Sequence, residues 1–251
     1  MSAPRGLRSD AIVLRVIAFA ETSQIVHLAT PHHGIVSGIA KGAHAPKGSF
    51  QGGLSLGLLG EVEWVNRPRT DLALLRSFRV KDGLRGLRED LDRIAAATYV
   101  LGLLRDLERP ALPAPALFLA GVTALKAIAT SAPAQAPLWV AVFEARALAA
   151  CGHRPELSRC VVCGADAETD LVFAPASGGL AHRRCATVGP VRPLGSAALA
   201  ALRRLYTVRL PELVAEPPQL ADLRAVRAVH DLFLPYVLER EPMGLRTLPR
   251  P

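Results

Sequence analysis

Four residues of metal-ligating type fall in one short stretch of this chain, as two pairs with the same internal spacing. Cys160-Val161-Val162-Cys163-Gly164 is followed, after an intervening loop, by His182-Arg183-Arg184-Cys185. A two-residue spacer lets both side chains of a pair point at one ion from a tight turn. Two such turns facing each other complete a tetrahedron of Cys and His donors around zinc. Gly164 follows the second cysteine, where such a turn needs a residue that tolerates positive φ. Asp166, Thr169, Pro175, Gly178 and Gly179 mark the intervening stretch as turn-rich, so a small ribbon of two hairpins is predicted over 159–190. Cys160, Cys163, His182 and Cys185 are the expected Zn2+ ligands. Four protein donors leave no open coordination position, so the expected role is structural rather than catalytic.

Other uses of these residues fit less well. A redox CxxC belongs in a βαβ surrounding, which this stretch lacks. A disulfide belongs in an oxidising compartment, and Met1 to Asp10 has no apolar core of the kind a secretory signal needs. Buried cysteines without metal are the third reading. Cys151, after an Ala-rich apolar run, reads as a small buried hydrophobe. The longest apolar runs are broken by Pro113, Pro115, Lys126, Glu144 or Arg146, short of a membrane span. A soluble, cytoplasmic protein is expected.

Half of the 251 residues are hydrophobic, so one large or two to three small domains can each bury a core. The formal net charge of +8 favours polyanionic partners such as nucleic acid, although arginine-rich proteomes give basic proteins of every function. Residues 10–80 read as five short strands: Ala11 to Phe19 with Ile12, Leu14 and Val16 on one face, Gln24 to Ala29, Ile35 to Ala40, Leu56 to Val65 and Leu72 to Val80. Five strands with one long glycine-rich connection, His44 to Gly53, suggest a small closed barrel. The OB-fold is the best-known such barrel and commonly binds single-stranded nucleic acid; an SH3-like barrel is the alternative. Lys41 and Lys47 flank the long connection, and Arg67 and Arg69 lie between the fourth and fifth strands, where basic side chains can follow a phosphate backbone. Of the barrel aromatics, Phe19, Phe50, Trp64 and Phe78, most are expected in the core, so little base stacking is predicted.

From Leu84 the period becomes helical and runs to Leu107. Pro115 opens a second helix to about Ala129, and Leu138 to Ala150 forms a third. After the ribbon, Ser196 caps a helix from Ala197 to about Val208; Pro211, Pro217 and Pro218 interrupt; Asp222 to Leu238 is the last helix. The expected organisation is a barrel at 1–80, a helical bundle at 81–158, the Cys/His module at 159–190 and C-terminal helices at 191–251 that complete the bundle. The fold class is α+β. Arg203 and Arg204 form a basic cluster on one of these helices and are candidates for a secondary DNA contact.

Ala11-Ile12-Val13-Leu14-Arg15, Glu21-Thr22, Ile25 through Pro31, Gly34, Ala40-Lys41-Gly42-Ala43, Pro46-Lys47, Phe50 and Asp71-Leu72 follow a familiar order, as do Gly152, Pro155, Cys160-Val161-Val162-Cys163-Gly164, Gly178-Gly179 and Cys185. In that order and spacing the chain resembles the RecO family of bacterial DNA repair proteins over nearly its whole length. The resemblance implies an N-terminal OB-fold, a helical bundle and a small zinc module. It also implies a recombination mediator that binds single- and double-stranded DNA, anneals complementary strands and displaces single-strand-binding protein. With a RecR partner, such a mediator loads the RecA recombinase. A nucleoid-associated location in a bacterial cytoplasm goes with that role. The chain departs from the family pattern at His44-Ala45, where two basic residues are common, at Gly48-Ser49, where Ser-Arg is common, and at His182, where the third cysteine usually stands.

Two readings from other classes are weighed against this one. A zinc nucleobase deaminase needs a His-x-Glu motif, and no histidine here is followed by Glu two residues on. No Walker A lysine motif is present either, so the expectation is not an enzyme. A zinc-stabilised protein-interaction scaffold, with incidental basic charge, is the other reading, and salt-dependent binding to single-stranded DNA separates it from the mediator.

Overall fold

The computed structural model describes residues 6–45, 48–50, 52–240 and 242. The chain opens with β1 (Leu7–Phe19), β2 (Ser23–Thr30), β3 (Gly34–Ala40), β4 (Leu59–Val65) and β5 (Ala73–Asp82), which close into a barrel in the order β1-β2-β3-β5-β4. β3 and β5 run parallel, with Gly38 opposite Ala73, and the other four pairings are antiparallel. The barrel interior holds Ala11, Val13, Val26, Leu28, Val36, Ala40, Phe50, Val62, Trp64, Leu75 and Phe78. Full burial of an aromatic such as Trp64 or Phe78 stabilises a barrel this small by roughly 1.5–3 kcal/mol each. The fourth strand starts at Leu59 rather than Leu56, because Gly57 turns the chain at φ +79 just before it.

A bulge in β1 changes which side chains face out. Ile12 pairs with Ala29 and Val13 with Leu28, but Arg15 pairs with His27, so one extra residue sits in β1. An extra residue shifts the two-residue alternation by one. Before the bulge, Ile12 and Leu14 point out of the barrel and Val13 points in; after it, Val16 points in and Arg15, Ile17 and Phe19 point out. The expectation that Ile12, Leu14 and Val16 share one face therefore fails at Val16.

The outward side chains before the bulge are not exposed. Ile12, Leu14, Ala29 and Leu59 join the core of the helices, which are α1 (Leu91–Leu107), α2 (Pro115–Thr130), α3 (Ala136–Ala150), α4 (Ser196–Thr207), α5 (Leu210–Ala215) and α6 (Leu220–Leu238). Burial on both faces explains why Ala11 to Leu14 are all buried in one run. The barrel turn also bonds to the α1–α2 connection, through Ile35 N–H to the Arg109 carbonyl (3.3 Å) and Ala114 N–H to the Pro31 carbonyl (3.1 Å). Gly34 is required there: it sits at φ +59, and a Cβ would lie 2.1 Å from the Arg109 oxygen.

The helix expected from Leu84 is two pieces. Arg85–Arg88 is a turn of 3-10 helix, and α1 starts only at Leu91 because the Asp90 side chain accepts from the Asp92 and Arg93 N–H groups. α4 includes Ser196, and its N-terminal boundary residue is Gly195, with no side-chain cap. α5 lies where Pro211 reads as an interruption; proline is tolerated in a first turn.

Inside the bundle one ionic group joins four helices. The fully buried Glu144 of α3 accepts from Tyr99 of α1 and pairs with His230 Nδ1 of α6 at 2.7 Å. Arg227 Nη1 lies 3.1 Å from the same carboxylate, near enough to pair electrostatically but off the hydrogen-bonding line. Arg227 also stacks over the Tyr99 ring at 4.2 Å and donates to Asp231 at 2.6 Å. Tyr206 of α4 reaches His230 Nε2 at 3.1 Å. Burial opposes ionisation of Glu144, but Arg227 and then His230 outweigh it and hold the carboxyl below its usual range.

Candidate metal centre and nucleic-acid face

Between α3 and α4 the chain forms β6 (Leu171–Ala174), β7 (Gly179–His182) and the two-residue β8 (Arg192–Pro193), a sheet ordered β7-β6-β8. The segment 156–161 runs alongside β7, with Leu180 N–H bonding to the Glu156 carbonyl and Val161 N–H to the Leu180 carbonyl. This approach requires Gly179, whose Cβ would lie 2.4 Å from the Glu156 oxygen. The first knuckle closes with Gly164 N–H on the Cys160 carbonyl (2.9 Å) and Gly164 at φ +74, as its position after Cys163 predicts. The second closes with Cys185 N–H on the His182 carbonyl (2.8 Å).

These two turns bring Cys160, Cys163, His182 and Cys185 together, with one donor atom from each lying within 4.8 Å of the others. Cys163 Sγ and His182 Nδ1 are 3.5 Å apart, so Nδ1 is the ring nitrogen turned inward. Burial disfavours the Cys160 thiolate, but backbone N–H groups of Cys163, His182 and Val162 outweigh that, and its pKa is lowered to about 6. Burial, then the neighbouring thiols, push Cys185 up. Three thiols and one imidazole at this separation fit a tetrahedral metal of zinc type and could bind one. Cys151 stands apart, half-buried at the end of α3.

The sequence-predicted DNA residues fall in two places. Lys41 follows β3, and Arg67 and Arg69 lie in the β4–β5 loop; all three are exposed, and among the described residues none has an acidic partner. Lys47 lies outside the described residues. Arg203 and Arg204 are on α4, far along the chain from the barrel. Arg203 Nε donates to the Leu157 carbonyl at 2.8 Å and braces the ribbon, and Arg204 donates to the Glu216 carbonyl at 2.7 Å.

Reasoning from the sequence missed the outer face beside Lys41. After the bulge, Arg15, His27 and Ser37 stand in one row across β1, β2 and β3, with Ser37 Oγ 2.9 Å from His27 Nδ1. Burial, then Arg15, then Arg105 of α1 hold the His27 imidazole below its ordinary pKa. The next row is Ile17, Ile25 and Ile39, and beyond it lies Phe19. On the opposite side of the barrel the cations have acidic partners: Arg8 and Arg76 pair with Glu63, Arg79 with Glu61 and Lys81 with Asp10.

The architecture defines a class: an OB-fold barrel, with its own interior, whose outer side chains pack into the core of a helical bundle carrying a Cys/His ribbon. Residues 2–84 match the family described as Recombination protein O N terminal, and residues 88–246 match Recombination protein O C terminal. The chain belongs to the RecO family of DNA repair proteins, as the resemblance read from its motifs implies. It is 36% identical over 244 residues to DNA repair protein RecO of Anaeromyxobacter sp. (strain K), covering 96% of this chain and 95% of that one. The protein of the same name from Rhodopirellula baltica is 34% identical over 216 residues (84% and 77%), and that from Bacillus pumilus 29% over 224 (88% and 86%). Among the described residues no helix is long and apolar enough to cross a membrane.

Proposed function

We propose that this protein is a recombination mediator: it binds single- and double-stranded DNA, anneals complementary strands and helps load recombinase onto DNA coated with single-strand-binding protein. The observation that carries this reading is the uneven charge on the barrel. Lys41, Arg67 and Arg69 are exposed without acidic partners among the described residues, whereas Arg8, Arg76, Arg79 and Lys81 of the opposite side each pair with Asp10, Glu61 or Glu63. Unpaired loop cations beside an OB-fold face suit a phosphate backbone, which they bind with release of counterions and little sequence preference. Lys47, on the same connection as Lys41, is assigned to this set, and Arg203 and Arg204 to a secondary contact from the bundle.

Cys160, Cys163, His182 and Cys185 would hold one Zn2+, whose chemistry in this setting is to fix the ribbon. The residues of this chain act by binding and positioning DNA, with no chemical turnover. RecR and the C-terminal tail of single-strand-binding protein are the protein partners this role calls for. The test is to replace Lys41 and Lys47 with alanine and measure single-strand binding across a salt series. Weaker binding for all sequences, with the salt slope reduced by about one unit per contacting charge, is the expected result. Unchanged slope and affinity in a folded variant would move the site off this face. Absence of salt-dependent binding by the wild type would favour the zinc-stabilised scaffold instead.

A further inference from the structure

The barrel contains four aromatic side chains, and three of them, Phe50, Trp64 and Phe78, are at most 3% exposed. Phe19 is 48% exposed. It is not a stray surface residue, because the bulge in β1 determines its direction. With regular alternation the side chains on the parity of Ala11 and Val13 would all point inward; the extra residue turns Arg15, Ile17 and Phe19 out together. Bulges re-aim side chains in this way next to binding sites.

What the turned residues meet has a definite chemistry. Arg15 is opposite His27, which is opposite Ser37, and this row is polar and cationic. Ile17, Ile25 and Ile39 form the apolar row beside it. Phe19, opposite Ser23, and Lys41, which follows the Ala40 that is opposite Gln24, stand at the far end. The β4–β5 loop with Arg67 and Arg69 approaches from the Ser37 end, because Ala73 at the end of that loop is opposite Gly38 in the parallel pairing with β3. An apolar strip, half-buried at Ile17 and Ile25, buried at Ile39 and ending in one exposed aromatic, thus has cations at both ends. Burial, then the neighbouring Arg15 and Arg105 guanidiniums, hold His27 below its ordinary pKa, so the positive charge at the start of the strip is that of the arginines. Among the described residues Arg15 has no ion-pair partner.

We propose that this strip is a single-strand site, in which an unstacked base lies on Phe19 while Arg15 takes a backbone phosphate at the other end. A duplex keeps its bases stacked inside and offers Phe19 nothing, whereas every single-stranded base presents a π-face. The strip therefore separates what the barrel does with single strands from what its loop cations do with any DNA. The inference rests on the proposed binding of DNA by the barrel and adds the residues that distinguish strand from duplex.

The experiment is fluorescence anisotropy on the full chain, with a labelled oligothymidine of about 12 nucleotides, a size within the range of OB-fold sites. A duplex and an abasic oligonucleotide of the same length are measured beside it. Phe19→Ala is expected to weaken binding to oligothymidine about tenfold or more. Its salt slope and its binding to the duplex and the abasic strand stay at the wild-type values. Arg15→Gln is expected to lower the salt slope by about one unit on oligothymidine and on the abasic strand and to leave duplex binding unchanged. Both side chains are exposed, so both variants should fold, and circular dichroism checks this. If the wild type binds with a salt slope but Phe19→Ala and Arg15→Gln match it on every probe, the strip is refuted and the loop cations stand. If Phe19→Ala weakens the abasic strand as much as oligothymidine, base stacking on Phe19 is refuted. If the wild type shows no salt-dependent binding to any probe, the underlying reading fails instead.

Discussion

Removing Glu144 tests whether the bundle depends on one buried carboxylate. In a Glu144→Ala variant the Tyr99 hydroxyl and His230 Nδ1 lose their acceptor, and Arg227 retains Asp231 alone. Two buried groups left unsatisfied cost about 1–3 kcal/mol each. Breaking a buried ion pair from one side costs about 3–5 kcal/mol. Both routes lead to the same range, a large fraction of a domain's total stability of about 5–15 kcal/mol. For a chain of this size the midpoint of thermal unfolding should fall by roughly 10 °C. Urea unfolding read by Trp139 fluorescence in a Trp64→Phe background isolates the bundle, since Trp139 is on α3 and Trp64 is in the barrel. The pH dependence has a definite sign. The folded pKa of Glu144 is depressed, so its contribution is present above the unfolded carboxyl pKa and is lost as pH falls through the folded value. The stability gap between wild type and Glu144→Gln should therefore narrow in acid. A Glu144→Ala variant within about 1 kcal/mol of wild type at neutral pH, or a gap that widens in acid, would refute this reasoning.

Glu108 behaves in the opposite sense. It is 2% exposed, neither carboxylate oxygen has a hydrogen-bond partner among the described residues, and burial raises its pKa to about 8. Its folded form holds a proton that the unfolded chain releases, so stability falls as pH rises from the ordinary carboxyl range to about 8. Glu108→Gln should match wild type near pH 5 and exceed it by about 1–3 kcal/mol at pH 8, read by urea titrations at both pH values. Elemental analysis should find one zinc per chain, and strong chelation should lower the unfolding temperature; a metal-free chain with an unchanged unfolding curve would contradict the ligand set. Gly34→Ala should destabilise by at least about 1–3 kcal/mol, because φ +59 and the Arg109 oxygen 2.1 Å from the new Cβ both resist it; differential scanning calorimetry measures this.

Local patterns told most about local features. The two knuckles were legible because ligand spacing and Gly164 are properties of short segments. Four of the five strands kept a two-residue alternation, or an apolar run, between turn residues. The β1 bulge was not legible: Leu14-Arg15 contains no glycine or other local signal, and the extra residue appears only against β2. Phe19 was consequently grouped with aromatics expected mostly in the core, although it is 48% exposed. Leu84 and Leu87 continue the apolar period of α1, so the break at Asp90 was hidden by a pattern that tertiary packing satisfies in two pieces. Glu144 reads as a flaw in an apolar run and lies at the centre of the bundle, because its partners come from residues 45, 83 and 86 positions away.

Strand annealing tests the central claim most directly. Two complementary single strands, each coated with single-strand-binding protein, are mixed with the purified chain in the absence of any nucleotide, and duplex formation is followed by fluorescence. The account predicts that the protein accelerates annealing without ATP and that the acceleration fades as salt rises, because it depends on phosphate contacts. No acceleration at low salt, or acceleration only when ATP is supplied, would contradict it.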